Sequence, residues 1–263
     1  MINPIPCGTS GLIKALRLRG SRFDSRGGVA QKHHVFATAA EETGGMLKTQ
    51  GNALATVVTA YYPTRSKKRS VKTYMAYIKA FMTNIPCNVH IYTTAKIAPL
   101  IMAMREGLPA LSTRVDIREL GSLYWAQHMD LWLKQHKHDP ERNVHVPEMY
   151  VVWHEKIKFV LAAIAARAFP ETKYYIWCDI GCFRNGSAAY MQKFKTFPSH
   201  SRLRGSDESK VHVLRVNAIP AKELASLSVL PRKVRLGAGI IYSGVAGWRA
   251  YDKAYETLIS YRR

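Results

Sequence analysis

From Leu54 onward the apolar positions follow two alternating rhythms: short runs of β-branched and aromatic residues, and longer stretches with apolar residues three and four apart. Ala53 to Tyr62 reads as a buried strand, and Ser70 to Met82 as a helix with Val71, Tyr74, Met75, Ile78, Phe81 and Met82 on one side. Asn88 to Thr94 is a second strand, Ile97 to Arg105 a helix, and Arg114 to Leu120 alternates as a third strand. Leu123 to Lys137 reads as a helix with Trp125, Met129, Trp132 and Leu133 on its stripe. Pro147 opens a long helix to about Ala168, proline being favoured at a first helical position, with Met149, Val152, Trp153, Phe159, Val160, Ala163 and Ile164 expected to face a sheet. Tyr174 to Cys178 is a buried central strand that runs into Asp179, Ile180 and Gly181. After an irregular polar stretch, Val211 to Val216 and Gly239 to Tyr242 read as strands and Val245 to Tyr261 as a terminal helix. Strands alternating with helices predict parallel pairing, hence an α/β three-layer sandwich with a mostly parallel sheet.

Residues 1 to 53 lack this rhythm and are expected to be a basic, disordered extension, leaving 54 to 263 as the folded domain. Asp24 is the sole acid in the first forty residues, a composition that resembles a transit peptide, although upstream coding sequence or plain disorder explains it equally well. The given chain shows no continuous apolar stretch of roughly the 18 residues a membrane helix needs, and no signal peptide of the usual form. Either a secretory lumen or the cytoplasm is compatible with that.

Charge changes the picture. Lys and Arg outnumber Asp and Glu 39 to 18, for a net charge of +21, which calls for a polyanionic or phosphate-bearing partner. No zinc finger, RNP-type signature or basic zipper accompanies the excess, which does not favour nucleic acid. The four cysteines, Cys7, Cys87, Cys178 and Cys182, form no CxxC pair and are expected as buried free thiols rather than half of a zinc site.

Candidate chemistry gathers where the strands end, because ligands of open α/β sheets collect at the carboxyl edge. Asp179 stands there, able to hold a hard divalent cation that bridges nucleotide phosphates, with Gly181 allowing close backbone approach; the plainer reading is a turn-capping Asp. Thr59 and Tyr61 at the end of the first strand offer hydroxyls and a ring to a nucleoside. Arg65, Lys67, Lys68 and Arg69 follow in a basic turn suited to phosphate or simply solvated. The long helix must run antiparallel to the Asp179 strand, which brings Glu148, Glu155 and Lys156 near the same edge, Lys156 toward a diphosphate or toward ion pairs along the helix. The glycine-rich run Arg235 to Gly244 marks a close backbone approach or a β-bulge. His128, His136, His138 and His145 match no metal spacing and are expected in a solvated loop.

Taken in order, Thr56 to Tyr62 with Ser66-Lys67-Lys68, Asp139-Pro140-Glu141 leading to His145 and Pro147-Glu148-Met149-Tyr150, Trp153 with Glu155-Lys156, and Trp177-Cys-Asp-Ile-Gly-Cys-Phe-Arg184 resemble the HtrL/YibB family of glycosyltransferase-like proteins. The resemblance covers Leu54 to the end. It implies a GT-A fold and transfer of a sugar from a nucleoside-diphosphate donor to an acceptor hydroxyl on a glycan, protein or lipid. Mn or Mg is implied at Asp179, donor contacts at Thr59, Tyr61, Arg65, Lys68, Lys156 and Gly181, and an acceptor side along Gly239, Tyr242, Ser243 and Gly244. Two departures stand out. Gly181 replaces the second acid of the family's Asp-x-Asp, and only Val245 to Arg263 follow the glycine-rich strand, so the domain is expected to lack its usual C-terminal segment. The alternative expectation is a non-catalytic GT-A-like domain that docks anionic partners.

Overall fold

The computed structural model describes residues 54–65, 70–106, 113–182, 192, 196–220 and 235–260. The expected extension over 1 to 53 lies outside them, as does most of the basic turn.

The alternation predicted from the sequence is present. Strand β1 (Ala55–Tyr61) leads to helix α1 (Val71–Asn84), β2 (Asn88–Thr93), α2 (Ala98–Arg105) and β3 (Thr113–Ile117). Helices α3 (Met129–Lys137) and α4 (Pro147–Ala166) precede β4 (Tyr174–Cys178). A short helix α5 (His200–Arg204), β5 (His212–Arg215), β6 (Leu236–Ser243) and α6 (Val245–Ser260) complete it. The six strands form one sheet in the order β3-β2-β1-β4-β6-β5, parallel from β3 to β4, with β6 antiparallel to both of its neighbours. β1 and β4 are therefore the two central strands, and both are buried along their whole length.

Because successive strand residues point to opposite faces, two cores form. On one face Val57, Val89, Ile176 and Ile240 pack against Ile78, Phe81 and Met82 of α1 and Ile101 of α2. On the other, Val58, Tyr92, Trp177 and Ile241 pack against Phe159 and Val160 of α4 and Trp248 and Tyr251 of α6. The molecule is thus a three-layer α/β sandwich. Ser70 starts α1 by accepting the N–H of Thr73 (3.1 Å), and a proline in the first turn starts both α2 and α4. Arg105 is buried at the end of α2, where its guanidinium donates to the carbonyls of Met82, Ile85 and Cys87 and to Thr113, tying α1 to the start of β2 and β3.

Three local expectations are corrected. The third strand stops at Ile117, where Arg118 N turns back to the Thr93 carbonyl (2.9 Å) and a 3-10 turn follows at Leu120–Ser122. The helix expected from Leu123 is broken into a 3-10 turn, Tyr124–His128, and α3. At the start of that turn the buried Glu155 carboxylate takes the N–H groups of Tyr124 and Trp125 at 3.1 and 2.9 Å. Trp125 and Trp132 are buried by that turn while Leu133, expected on the same stripe, is 50% exposed. In the first half of α4 the sheet-facing side is Tyr150, Val151, Glu155 and Lys156; Met149, Val152 and Trp153 are only partly covered. Two charged residues occupy positions that an apolar count passes over.

Candidate functional site at the carboxyl edge

Strands β1 and β4 are parallel, so their carboxyl ends share one edge, and Asp179 leaves the sheet there. Its backbone is pinned on both sides: Asp179 N donates to the Gly239 carbonyl and Cys182 N donates to the Asp179 carbonyl, both at 2.8 Å. The side chain is held as firmly. Oδ1 accepts from the Trp177 indole N–H (2.7 Å) and forms an ion pair with Lys156 Nζ (2.8 Å). Trp177 precedes Asp179 by two residues and so lies on the same side of the chain. Lys156 comes from α4, lies 5.6 Å above the Trp177 ring centre and also donates to the Ala238 carbonyl (3.0 Å).

What remains unused defines the chemistry. An ammonium has three protons, and Lys156 commits two of them. Asp179 Oδ2 has no hydrogen-bond partner among the described residues, and its side chain is 39% exposed whereas that of Lys156 is 10% exposed. Gly239 keeps this oxygen accessible: a Cβ there would stand 3.0 Å from Cys182 Sγ and 3.6 Å from Asp179 Oδ2. Cys182 Sγ in turn donates to the Gly239 carbonyl (3.2 Å). The result is a cation and a free carboxylate oxygen facing outward from a rigid turn.

Beside it, at the ends of β1 and β2, the buried hydroxyls of Thr59, Tyr62 and Tyr92 make no hydrogen bond. Tyr62 and Tyr92 both stack on Phe159, at 6.0 and 4.8 Å, and Phe159 stacks on Trp177 (5.9 Å), so one aromatic run joins this patch to Asp179. The Arg118 guanidinium sits 4.8 Å from the Tyr92 ring centre. Burial raises the pKa of both phenols above the ordinary value, Glu155 adding to it at Tyr62 and Arg118 opposing it at each. Burial likewise raises Glu155, opposed by the N–H groups of Trp125 and Tyr124. Buried polar groups without partners are rare; Tyr62 and Tyr92 share the α4 face with Trp177 and Asp179, whereas Thr59 lies on the α1 face with Val57 and Tyr61.

The sequence-predicted residues divide. Asp179, Lys156, Gly181 and Gly239 are brought together, Gly181 buried within the turn. Thr59 is fully buried, Tyr61 packs into the α1 core 6.0 Å from Tyr74, and Arg65 is exposed in the loop past β1 on the same edge. Lys68 lies outside the described residues, with Lys67 and Arg69. Tyr242, Ser243 and Gly244 are not brought to Asp179. Because β6 is antiparallel to β4, Ser243 pairs with Tyr175, toward the opposite edge. There Tyr242 stacks on His212 (4.4 Å), Ser243 Oγ donates to the Lys210 carbonyl (2.8 Å), and Gly244 N donates to the Glu208 carbonyl (2.9 Å). Glu155, expected near the metal, instead organises the Tyr124 turn.

The histidine loop is also corrected. His145 is buried, with Nδ1 2.8 Å from the Asp139 carboxylate, and Tyr150 and Glu141 N donate to the same group. His136 Nε2 reaches the carbonyls of Arg142 and His145. Burial pushes Asp139 up, but these three donors outweigh it and its pKa falls below the ordinary value. Asp139 and His145 thus form a folded lock before α4, while His138 and residues 140–143 stay exposed as expected.

Among the described residues no group of three or more His, Cys, Asp or Glu side chains is arranged to hold a metal ion. Cys87 and Cys178 are buried free thiols, and burial pushes Cys87 up to about 12. No helix of the described residues is long and apolar enough to cross a membrane.

No protein-family model matches the chain. No curated protein matches it. Among solved structures, mouse xyloside xylosyltransferase 1 in its apo form is similar at 8% identity and a TM-score of 0.40, over 78% of this chain and 71% of that one. A likeness at that level says nothing of substrate or activity.

Proposed function

We propose that the chain is a GT-A-like glycosyltransferase of the HtrL/YibB type, which transfers a sugar from a nucleoside diphosphate to an acceptor hydroxyl on a glycan, protein or lipid. The observation that carries this reading is the Lys156–Asp179 pair at the carboxyl edge, with one ammonium proton and one carboxylate oxygen left for a ligand. A departing diphosphate gains negative charge as the glycosidic bond breaks, and a fixed cation in a partly dry site stabilises that charge without reorganising. Lys156 supplies this cation, Asp179 and Ala238 O aim it, and Arg65 past β1, with Lys68 three positions further along the sequence, shares the charge. Asp179 Oδ2 accepts a donor hydroxyl. The unpaired hydroxyls of Tyr62 and Tyr92, on the same sheet face as Trp177 and Asp179, give the nucleoside its polar contacts.

The resemblance implies Mn or Mg at Asp179, and the described residues fit such an ion poorly. Gly181 stands where a second acid would be, and the Lys156 ammonium already occupies Oδ1 at 2.8 Å. No step is therefore assigned to a metal. The positive charge is placed on Lys156.

The test is calorimetric titration of UDP and GDP into the chain, with and without manganese. Saturable binding of one nucleotide is expected, weakened at least tenfold in Lys156→Met, with the melting temperature close to the parent's. Equal affinity in that variant would remove Lys156 from the site. The replacement of the second acid by Gly181 also favours a reading in which the domain binds an anionic partner without transfer. Turnover of a bound sugar nucleotide decides against that reading, and tight binding with neither hydrolysis nor transfer decides for it.

A further inference from the structure

At the opposite end of the sheet lies a cavity of about 620 Å³, bounded by the last turns of α4, the turn before β4 and the first turn of α6. Its walls are mostly apolar, built from Leu161, Ile164, Ala165, Phe169, Pro170 and Val245. Thr172 also lines it, its hydroxyl bonded to that of Thr56, and the charged groups that line it are all cationic. Arg167 and Arg249 reach it from α4 and α6, both exposed, and neither has an ion-pair or hydrogen-bond partner among the described residues. No acidic side chain lines it. Tyr175 closes it as a residue only 6% exposed, whose hydroxyl makes no hydrogen bond among the described residues. Arg167 stands close enough to that phenol to lower its pKa, although burial has the larger, opposite effect and the net shift is upward.

A phenol at the cavity wall and two unpaired guanidiniums around a mostly apolar hollow are complementary to a molecule with an apolar body and one anionic head. The volume falls within the usual 300–1,000 Å³ of small-molecule sites by about a factor of two at either end. We infer that this cavity binds an amphipathic anion, a carboxylate or phosphate on an apolar chain or ring, with Arg167, Arg249 and the Tyr175 hydroxyl holding the head. The site is separate from the carboxyl edge and does not rest on the donor reading. Arg167 occupies the left-handed region (φ 47°), where the helix ends, and that conformation swings the chain away from α4 at the cavity mouth.

The experiment uses the full chain and four probes below their micelle-forming concentrations: octyl phosphate, octanoate, octanol and inorganic phosphate. Saturable binding of octyl phosphate, of octanoate or of both is expected, the pair showing which head is preferred, with octanol and inorganic phosphate at least tenfold weaker. The double variant Arg167→Asn, Arg249→Gln, in which Asn keeps the left-handed backbone accessible, should lose more than tenfold. Ala165→Trp, which fills the hollow from an exposed position, should abolish binding. Lys72→Gln, a cation removed from α1 on the other sheet face, and Asp179→Asn should leave it unchanged. The inference is overturned if octanol binds as tightly as octyl phosphate, if the double variant keeps its affinity, or if Lys72→Gln loses as much as the double variant does.

Discussion

Asp139 and Asp179 are both anchored carboxylates near the sheet's carboxyl edge, and they are used in opposite ways. Asp139 spends both oxygens inside the fold, Oδ1 on Glu141 N and Oδ2 on His145 and Tyr150, with a side chain only 4% exposed. Asp179 spends Oδ1 on Trp177 and Lys156 and leaves Oδ2 free on a side chain 39% exposed. The first carboxylate stabilises a loop. The second is oriented by its neighbours and still open to something else. Satisfaction of valences, rather than residue type or position in a motif, separates a structural acid from a site acid.

The largest effect expected from this contrast is on stability. Asp139→Ala removes the buried acceptor shared by the His145 ring and the Tyr150 hydroxyl, and should cost about 3–5 kcal/mol in urea unfolding. A loss under about 1 kcal/mol would show that water replaces the carboxylate and would break the contrast. Next come two glycines on β6 and its end. A Cβ on Gly244 would meet the Glu208 carbonyl oxygen at 2.6 Å, a backbone atom that cannot swing aside. Gly244→Ala should therefore cost about 1–3 kcal/mol. Gly239→Ala, meeting side-chain atoms only, the Cys182 thiol at 3.0 Å and Asp179 Oδ2 at 3.6 Å, should cost less, its main effect being weaker nucleotide binding.

Acid should then separate the interior from the edge. His154 keeps some solvent contact, yet its imidazole stacks 4.2 Å from Trp132 and bonds Tyr255. Removal from water, reinforced by Lys156, lowers its pKa from 6.5 to about 3. Between those values only the unfolded chain takes up the proton, so this contribution is fully present above about pH 6.5 and is lost as pH falls toward about 3. Urea midpoints from pH 7 to 4 should drop, and His154→Phe should flatten the slope; an unchanged slope would assign the acid loss elsewhere. The smallest change belongs to Asp179→Asn. With the carboxylate partly solvated, it should shift stability by less than about 1 kcal/mol while altering nucleotide affinity. A large unfolding penalty there would make Asp179 a second Asp139.

Much of the framework was legible. The fully buried runs in β1 and β4 and the spacing in α1 and α4 specify their elements because burial on both sheet faces and on one helix face imposes distinct periods. Asp179 was legible for a related reason, a lone acid at the end of an apolar strand. Glu155 and Tyr124 show where such reading stops. A buried carboxylate 31 positions away takes the Tyr124 N–H at the start of a 3-10 turn, where the local pattern reads an α-helix.

The sequence by itself determined the α/β alternation, the carboxyl edge as the polar edge and Asp179 with Lys156 as residues on that edge. These follow from period and chain direction, which are local properties. Only the tertiary structure decided that Lys156 rests on the Ala238 carbonyl, that Tyr242, Ser243 and Gly244 point to the far edge, and that Asp139 is consumed by His145 and Tyr150. The direction of β6 and the closing of the histidine loop are set by contacts between distant segments. Hydrogen bonds that complete one another across the fold leave no period in the chain.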